Sequence, residues 1–175
     1  MLKKIDPHIF NHDKGNIMAD QLSRPTLHMQ RIFDAPRALL WAAWTRPEMV
    51  VAWLGPVEWP AVSVVQDLRV GGSYRACLKN ARDGRLLWQN GVYREIDEPS
   101  RLSFTFQWEG SHEDGEPVVT LVTVIFEELA DGRTRMDFTH ADLKSEESVT
   151  GHRYGWESTF GRLESWIAMQ GHQRE

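Results

Sequence analysis

The chain has 175 residues, a hydrophobic fraction of 41% and a formal net charge of -5, which together are typical of one globular domain with a sizeable core. Acidic and basic residues are interspersed, so no nucleic acid partner is expected, because nucleic acids require a clustered basic surface. No segment approaches the roughly 20 consecutive apolar residues that cross a bilayer, which predicts no membrane insertion.

The cellular compartment is predicted from the beginning of the chain and from its cysteine content. Lys3 and Lys4 are not followed by the apolar segment of an export signal. The single cysteine, Cys77, cannot form an internal disulfide. These two observations favour a cytoplasmic protein.

One domain over residues 25–170 is expected between two tails. Residues 1–24 are polar and aperiodic, which predicts a flexible N-terminal tail, and residues 171–175 are expected to form a short C-terminal tail. His8 and His12 have a spacing that metal ligands use, but they lie in the tail, where no packed shell would support an ion. We therefore expect no metal site, and no motif indicates a cofactor.

The first elements of the domain are a strand and two short helices. Thr26 to Phe33 is predicted to be the strand. Asp34 is expected to cap the first helix, with Pro36 in its first turn. Pro47 begins the second helix, which Gly55-Pro56 ends.

Apolar and polar residues then alternate, a period of two that is typical of strands. Short turn sequences such as Asp131-Gly132 separate the alternating segments and indicate hairpins. Strands joined by hairpins form an antiparallel sheet, here of six or seven strands counting the first. The further strands are predicted over Pro60–Gln66, Ser73–Lys79, Leu87–Ile96, Leu102–Trp108, Val118–Glu127 and Arg133–His140.

A long helix is predicted at the C-terminal end of the domain. Ser145 is placed to cap its first turn, and His152 lies on its apolar face. That face is formed by residues at helical spacing: Val149, Trp156, Phe160, Leu163 and Ile167.

Three glycines, Gly151, Gly155 and Gly161, interrupt the same helix. Each lowers helix stability by about 0.5–1 kcal/mol relative to alanine. The interpretation that we favour is close backbone approach between helix and sheet. The alternative is space for a ligand beside Trp156.

The order of elements and several short motifs resemble a known family. The motifs are Arg31–Arg37, Trp41–Glu48, Trp53–Pro56, Asp67–Tyr74, Gly91–Ile96, Pro99–Leu102, Val122–Glu127 and His152–Trp156. Together they resemble the START and birch-pollen-allergen superfamily, called SRPBCC. Within it they are similar to the family named after the C-terminal domain of the activator of heat-shock-protein-90 ATPase. The resemblance implies an α+β helix-grip fold, in which a curved antiparallel sheet surrounds the C-terminal helix and leaves a cavity.

Eight tryptophans, together with other aromatic residues, supply candidates for the walls of that cavity. Ordinary core packing is the alternative role for most of these rings. The candidates are Trp44, Trp53, Tyr74, Phe104, Phe106, Trp108, Trp156 and Phe160.

Two polar residues are added to the predicted ligand site. Arg69 could hold a polar head group, although pairing with Asp67 is the interpretation that we favour. His152 could hydrogen-bond a ligand carbonyl or transfer a proton, and the alternative is a bond from its ring to a backbone carbonyl. His140 is a weaker candidate for the same space. No local signature of an activated nucleophile is present, so no catalytic residue is assigned.

The function that these features favour is binding of a small hydrophobic or amphipathic molecule. One alternative is an enzyme of the cyclase or dehydratase type that uses the same cavity. Another is an interaction module in the stress response, with a chaperone or a second copy of the chain as its partner.

Overall fold

The computed structural model describes residues 24–110 and 117–171. The predicted N-terminal tail, most of the predicted loop between Gly110 and Pro117, and the end of the chain from residue 172 lie outside the described residues. The elements are β1 (Leu27–Phe33), α1 (Arg37–Thr45), α2 (Pro47–Trp53), β2 (Ala61–Gln66), β3 (Ser73–Lys79), β4 (Leu86–Asp97), β5 (Arg101–Trp108), β6 (Thr120–Glu128), β7 (Thr134–Ala141) and α3 (Glu146–Gly171).

The strands form one seven-stranded sheet in the order β1-β7-β6-β5-β4-β3-β2. Every neighbouring pair is antiparallel. The predicted α+β architecture, with an antiparallel sheet, two short helices after the first strand and a long C-terminal helix, is therefore confirmed. Because β1 and β2 lie at opposite edges, α1 and α2 connect the two sides of the sheet.

The strand bounds follow the alternation in the sequence closely. β3 spans the predicted residues, Ser73–Lys79, and β5 buries Leu102, Phe104 and Phe106 on one side of the sheet. Successive side chains of a strand point to opposite faces. These three residues therefore mark the inner face of the sheet.

The predicted cap of α1 is wrong. Asp34 is exposed, and the residue that precedes the helix is Pro36, in an extended conformation without a side-chain cap. The helix begins only at Arg37, so Asp34 lies two residues before the capping position. A carboxylate caps the first turn when it occupies that position itself.

The beginning and the buried face of α3 agree with prediction. The Ser145 hydroxyl oxygen accepts a hydrogen bond from the Ser148 backbone N–H at 3.2 Å, which is the capping geometry. The helix has 26 residues. The buried members of its apolar face are Trp156, Phe160, Leu163 and Ile167.

Trp44 of α1 lies at the centre of an aromatic cluster in the core. Its ring is 4.9 Å from that of Trp53 and 6.3 Å from that of Trp156, centroid to centroid. Phe104 of β5 and Phe160 of α3 lie at similar distances. The cluster joins both short helices, the sheet and α3 into one core.

None of the helices in the described ranges has both the length and the apolar character that crossing a membrane requires.

Candidate functional site

A cavity of about 840 Å³ lies between one end of the sheet and the first half of α3. We call it the outer cavity. Its size falls within the range of about 300–1,000 Å³ that small-molecule sites occupy. Its walls come from the end of α2 and the segment after it, from β3, β4, β5 and β6, and from α3. They include Leu54, Trp59, Leu78, Leu87, Gln89, Phe106, Trp108, Thr120, Leu143, Gly151, His152, Gly155, Trp156 and Thr159.

A second and much smaller cavity of about 40 Å³ lies deeper in the fold. We call it the inner recess. It shares four lining residues with the outer cavity, so the two spaces are neighbours. The shared residues are Leu54, Gln89, Phe106 and Trp156.

The aromatic residues predicted for the site divide between these two spaces. Phe106, Trp108, His152 and Trp156 line the outer cavity. The inner recess is lined by the predicted residues Trp44, Trp53, Tyr74 and Phe104, again with Phe106 and Trp156.

Two predicted residues border neither space. Phe160 is fully buried and packs edge-on against Phe138, with ring centroids 5.1 Å apart, so it belongs to the core. Arg69 is exposed and its Nε lies 2.8 Å from the Asp67 carboxylate. Of the two interpretations of Arg69, pairing with Asp67 is therefore the one that the structure shows.

His152 makes the backbone bond of the alternative interpretation, which leaves the neutral ring no N–H to donate to a ligand carbonyl. Its Nδ1–H donates to the Ser148 carbonyl at 2.8 Å, as the interpretation of a backbone bond required. The ring also lines the outer cavity. Burial lowers the pKa of His152, against an opposing effect of the Ser148 carbonyl, so the neutral ring keeps a lone pair on Nε2 as an acceptor.

His140 lies behind His152 and connects β7 to both α3 and β6. The Trp156 indole N–H donates to His140 Nδ1 at 3.2 Å, and His140 Nε2 lies 2.7 Å from the Thr120 hydroxyl. The Thr120 hydroxyl donates to the Phe106 carbonyl at 2.8 Å, so its oxygen accepts from Nε2–H. The chain of bonds requires a neutral ring, and burial together with the nearby His152 lowers the pKa of His140 to about 3.

The glycines of α3 do not bring the helix close to the sheet. A Cβ atom added to Gly151, Gly155 or Gly161 would meet no atom within 4 Å outside the helix itself. The favoured interpretation of close backbone approach is therefore wrong. Gly151 and Gly155 line the outer cavity, so they leave the space that the alternative interpretation described.

Sequence reasoning missed the polar groups that the sheet contributes. Gln89 of β4 is 4% exposed and borders both spaces, Gln66 of β2 borders the inner recess, and Thr120 of β6 borders the outer cavity. The signal for Gln89 was the alternation of β4, in which Gln89, Gly91 and Tyr93 share the buried face. A polar residue at a position where a strand faces inward was the sequence signal for a polar group at the site.

In the parts of the chain that the structure describes, no three His, Cys, Asp or Glu side chains are grouped in a way that could hold a metal ion.

Solved structures with the same fold come from several bacteria. The chain is similar to the AHSA1 protein of Silicibacter pomeroyi, with 21% identity and a TM-score of 0.71 over 83% of this chain and 99% of that one. A protein of Arthrobacter aurescens has 26% identity and a TM-score of 0.71 over 82% of this chain and 86% of its own. A putative uncharacterized protein of Rhizobium leguminosarum has 28% identity and a TM-score of 0.67, covering 83% and 95%.

No curated protein matches the chain. Residues 34–168 match the family described as Activator of Hsp90 ATPase homolog 1-like protein, and this match extends from the segment before α1 almost to the end of α3. The agreement of family and fold over most of the chain confirms the resemblance drawn from the motifs. The chain therefore belongs to the Activator of Hsp90 ATPase homolog 1-like family of the SRPBCC superfamily.

Proposed function

We propose that the protein binds a small hydrophobic or amphipathic molecule in the outer cavity. The observation that carries this proposal is a space of about 840 Å³ bordered by the apolar side chains of Trp59, Phe106, Trp108 and Trp156. Transfer of apolar ligand surface from water to such walls is favourable by about 25 cal/mol per Å². A ligand with the volume of a short alkyl chain or a small ring system fits this space.

The distribution of charge supports an uncharged body for the ligand. The charged residues that border the outer cavity, Lys144 and Glu147, are exposed, while the polar residues deeper inside, Gln89 and Thr120, are neutral. A buried ion without a partner is strongly unfavourable. Polar groups of the ligand are therefore expected either at the mouth or as uncharged groups inside.

The test places a larger side chain on α3 inside the outer cavity and leaves the other wall residues unchanged. Gly155→Leu places a side chain in the outer cavity, where a Cβ meets no other atom within 4 Å. We expect the affinity for the uncharged fluorescent probe N-phenyl-1-naphthylamine to fall at least tenfold, measured by the rise in probe fluorescence on binding.

The matched control is Gly161→Leu on the same helix. Gly161 also has open space at its Cβ position but borders neither the outer cavity nor the inner recess. Both substitutions raise helix propensity, so unfolding does not account for a loss in one variant alone. Equal probe affinity in the two variants, or no binding by the unmodified protein, would overturn the proposal.

A further inference from the structure

Three buried polar atoms around the inner recess have no hydrogen-bond partner among the residues that the structure describes. They are the indole N–H of Trp44, the side-chain oxygen of Gln66 and the hydroxyl of Tyr74. Trp44 is 5% exposed and Tyr74 is 7% exposed, and all three residues line the recess. Buried polar groups without a partner are costly, so three around one small space indicate a polar occupant.

The amide of Gln66 has one possible orientation. Its Nε2 donates to the Trp44 carbonyl at 3.1 Å and to the Tyr93 hydroxyl at 2.7 Å. Since a carbonyl oxygen can only accept, the nitrogen must face Trp44. The Gln66 oxygen is therefore the acceptor that remains for an occupant.

Within the described ranges of the chain, the residues that line the recess are all uncharged. Burial, with a smaller effect of Tyr93, raises the pKa of Tyr74 well above its usual range, so its hydroxyl is neutral at physiological pH. A carboxylate, phosphate or ammonium group would lie there without a counter-ion, which low-dielectric surroundings disfavour. The occupant must be uncharged.

The donors and acceptors match a hydroxyl group better than a carbonyl group. A hydroxyl accepts from the Trp44 indole N–H and donates to the Gln66 oxygen, while Tyr74 can serve either way. A carbonyl accepts from Trp44 and Tyr74 but leaves the Gln66 oxygen without a donor. The volume of about 40 Å³ admits a group about the size of a water molecule.

The recess adjoins the outer cavity at its inner end. Of the four residues that both spaces share, Gln89 is the polar one. The two spaces are therefore neighbours, and a shared side chain can rotate when a ligand enters.

We propose that the inner recess binds the hydroxyl end of an amphipathic alcohol whose apolar body lies in the outer cavity. This inference rests on the proposed binding function and names the ligand class for it.

The experiment compares two ligands with the same number of non-hydrogen atoms, 1-nonanol and methyl octyl ether, as competitors of N-phenyl-1-naphthylamine. The ether oxygen cannot donate to Gln66. We expect the unmodified protein to bind 1-nonanol about three- to tenfold more tightly than the ether, the effect of one net hydrogen bond. In Tyr74→Phe, which removes a hydroxyl that the described residues leave unpaired, the affinity for 1-nonanol should fall about three- to tenfold, since one hydrogen bond to the ligand is lost.

The control is Tyr154→Phe, because Tyr154 of α3 is 67% exposed and borders neither space. It should keep the affinity of the unmodified protein for 1-nonanol. Equal binding of the two ligands by the unmodified protein, as expected for a recess that holds only water, would overturn this inference and leave the proposed function intact. The same holds for an unchanged affinity for 1-nonanol in Tyr74→Phe. Failure of both ligands to displace the probe would overturn the inference and the proposed function together.

Discussion

At the scale of single residues, His140 shows how one buried ring connects three elements of the fold. Its two ring nitrogens bond to Trp156 of α3 and to Thr120 of β6. The indole N–H can only donate, so His140 Nδ1 must carry a lone pair. Protonation of His140 at Nδ1 would break the bond that holds Trp156 in the wall of the outer cavity.

The protein should therefore lose stability in mild acid. The pKa of His140 is about 3 in the folded state and 6.5 in the absence of burial, so between these values the unfolded chain binds more protons. The free energy of unfolding then decreases as the pH falls below 6.5, by about 1.4 kcal/mol per pH unit for one such group. His152, whose pKa is also lowered, adds to the same trend.

Urea unfolding at pH 7.5 and pH 5 measures this slope. We expect a loss of about 2 kcal/mol in the unmodified protein and a clearly smaller loss in His140→Gln. His28→Gln, which changes an exposed histidine of β1, keeps His140 and should keep the slope. An unchanged slope in His140→Gln would contradict the assignment.

At the scale of elements, the contact between α2 and α3 depends on Arg162. Its guanidinium donates to the carbonyl oxygens of Ala52, Trp53, Leu54 and Gly55, at distances from 2.6 to 3.2 Å. These oxygens belong to the last residues of α2 and to the two residues after it, where carbonyls have no partner within the helix and carry partial negative charge. Arg162 therefore fixes the end of α2 beside α3, next to Leu54 and Gly55 in the wall of the outer cavity.

Loss of this cation should destabilise the fold. Arg162→Met keeps most of the aliphatic volume but removes the charged donor from these carbonyls, of which only that of Leu54 keeps another described donor, the Ala61 N–H. We expect a decrease of about 2 kcal/mol in the free energy of unfolding, because hydrogen bonds to charged groups contribute about 1.5–3 kcal/mol. Thermal or urea unfolding measures the change.

Arg153→Met is the control, since Arg153 is an exposed residue of the same helix. Its effect should stay within about 0.5 kcal/mol. Equal effects of the two substitutions would show that the bonds of Arg162 contribute little.

At the scale of the whole molecule, two glycines have different surroundings: Gly91 of β4 in the sheet and Gly155 of α3 in the long helix. Gly91 of β4 faces inward between Gln89 and Tyr93, and a Cβ atom there would lie 1.7 Å from the Thr105 carbonyl oxygen of β5. The register between β4 and β5 shifts next to it, between Tyr93 and Glu95, as in a β-bulge that bends a strand. Residues of β4 and Gly155 of α3 both border the outer cavity, and at Gly155 there is open space where a Cβ atom would lie.

The same substitution should therefore have opposite effects on the two sides. Gly91→Ala forces a backbone clash, and we expect the free energy of unfolding to fall by about 3 kcal/mol. Gly155→Ala meets open space in a helix, and we expect a gain of about 0.5–1 kcal/mol. Melting temperatures of the two variants measure the difference, and a stable Gly91→Ala protein would contradict the close contact.

Features that depend on neighbouring residues could be predicted from the sequence. The alternation of Leu102, Phe104 and Phe106 predicted β5 and its buried face, and the spacing of Trp156, Phe160 and Leu163 predicted the buried face of α3. Both patterns arise from the backbone geometry of strand and helix, which a single segment carries by itself. The predicted cap of α1 was wrong because Asp34 and Pro36 both suit a helix start, and only the backbone shows which residue takes that position.

The composition of the site could not be predicted from the sequence alone, because the site joins residues far apart in the chain. Periodicity indicated that Phe160 and Trp156 face inward, but only the placement of α3 on the sheet puts Trp156 in a cavity wall and Phe160 in the core. The polar atoms of Gln66 and Tyr74 likewise meet Trp44 only once β2, β3 and α1 are assembled. By itself, the sequence determined the order of the elements, their buried faces and the family, since these follow from local patterns. A cavity is the space left between elements, so the packing of the elements decided its size and its polar groups.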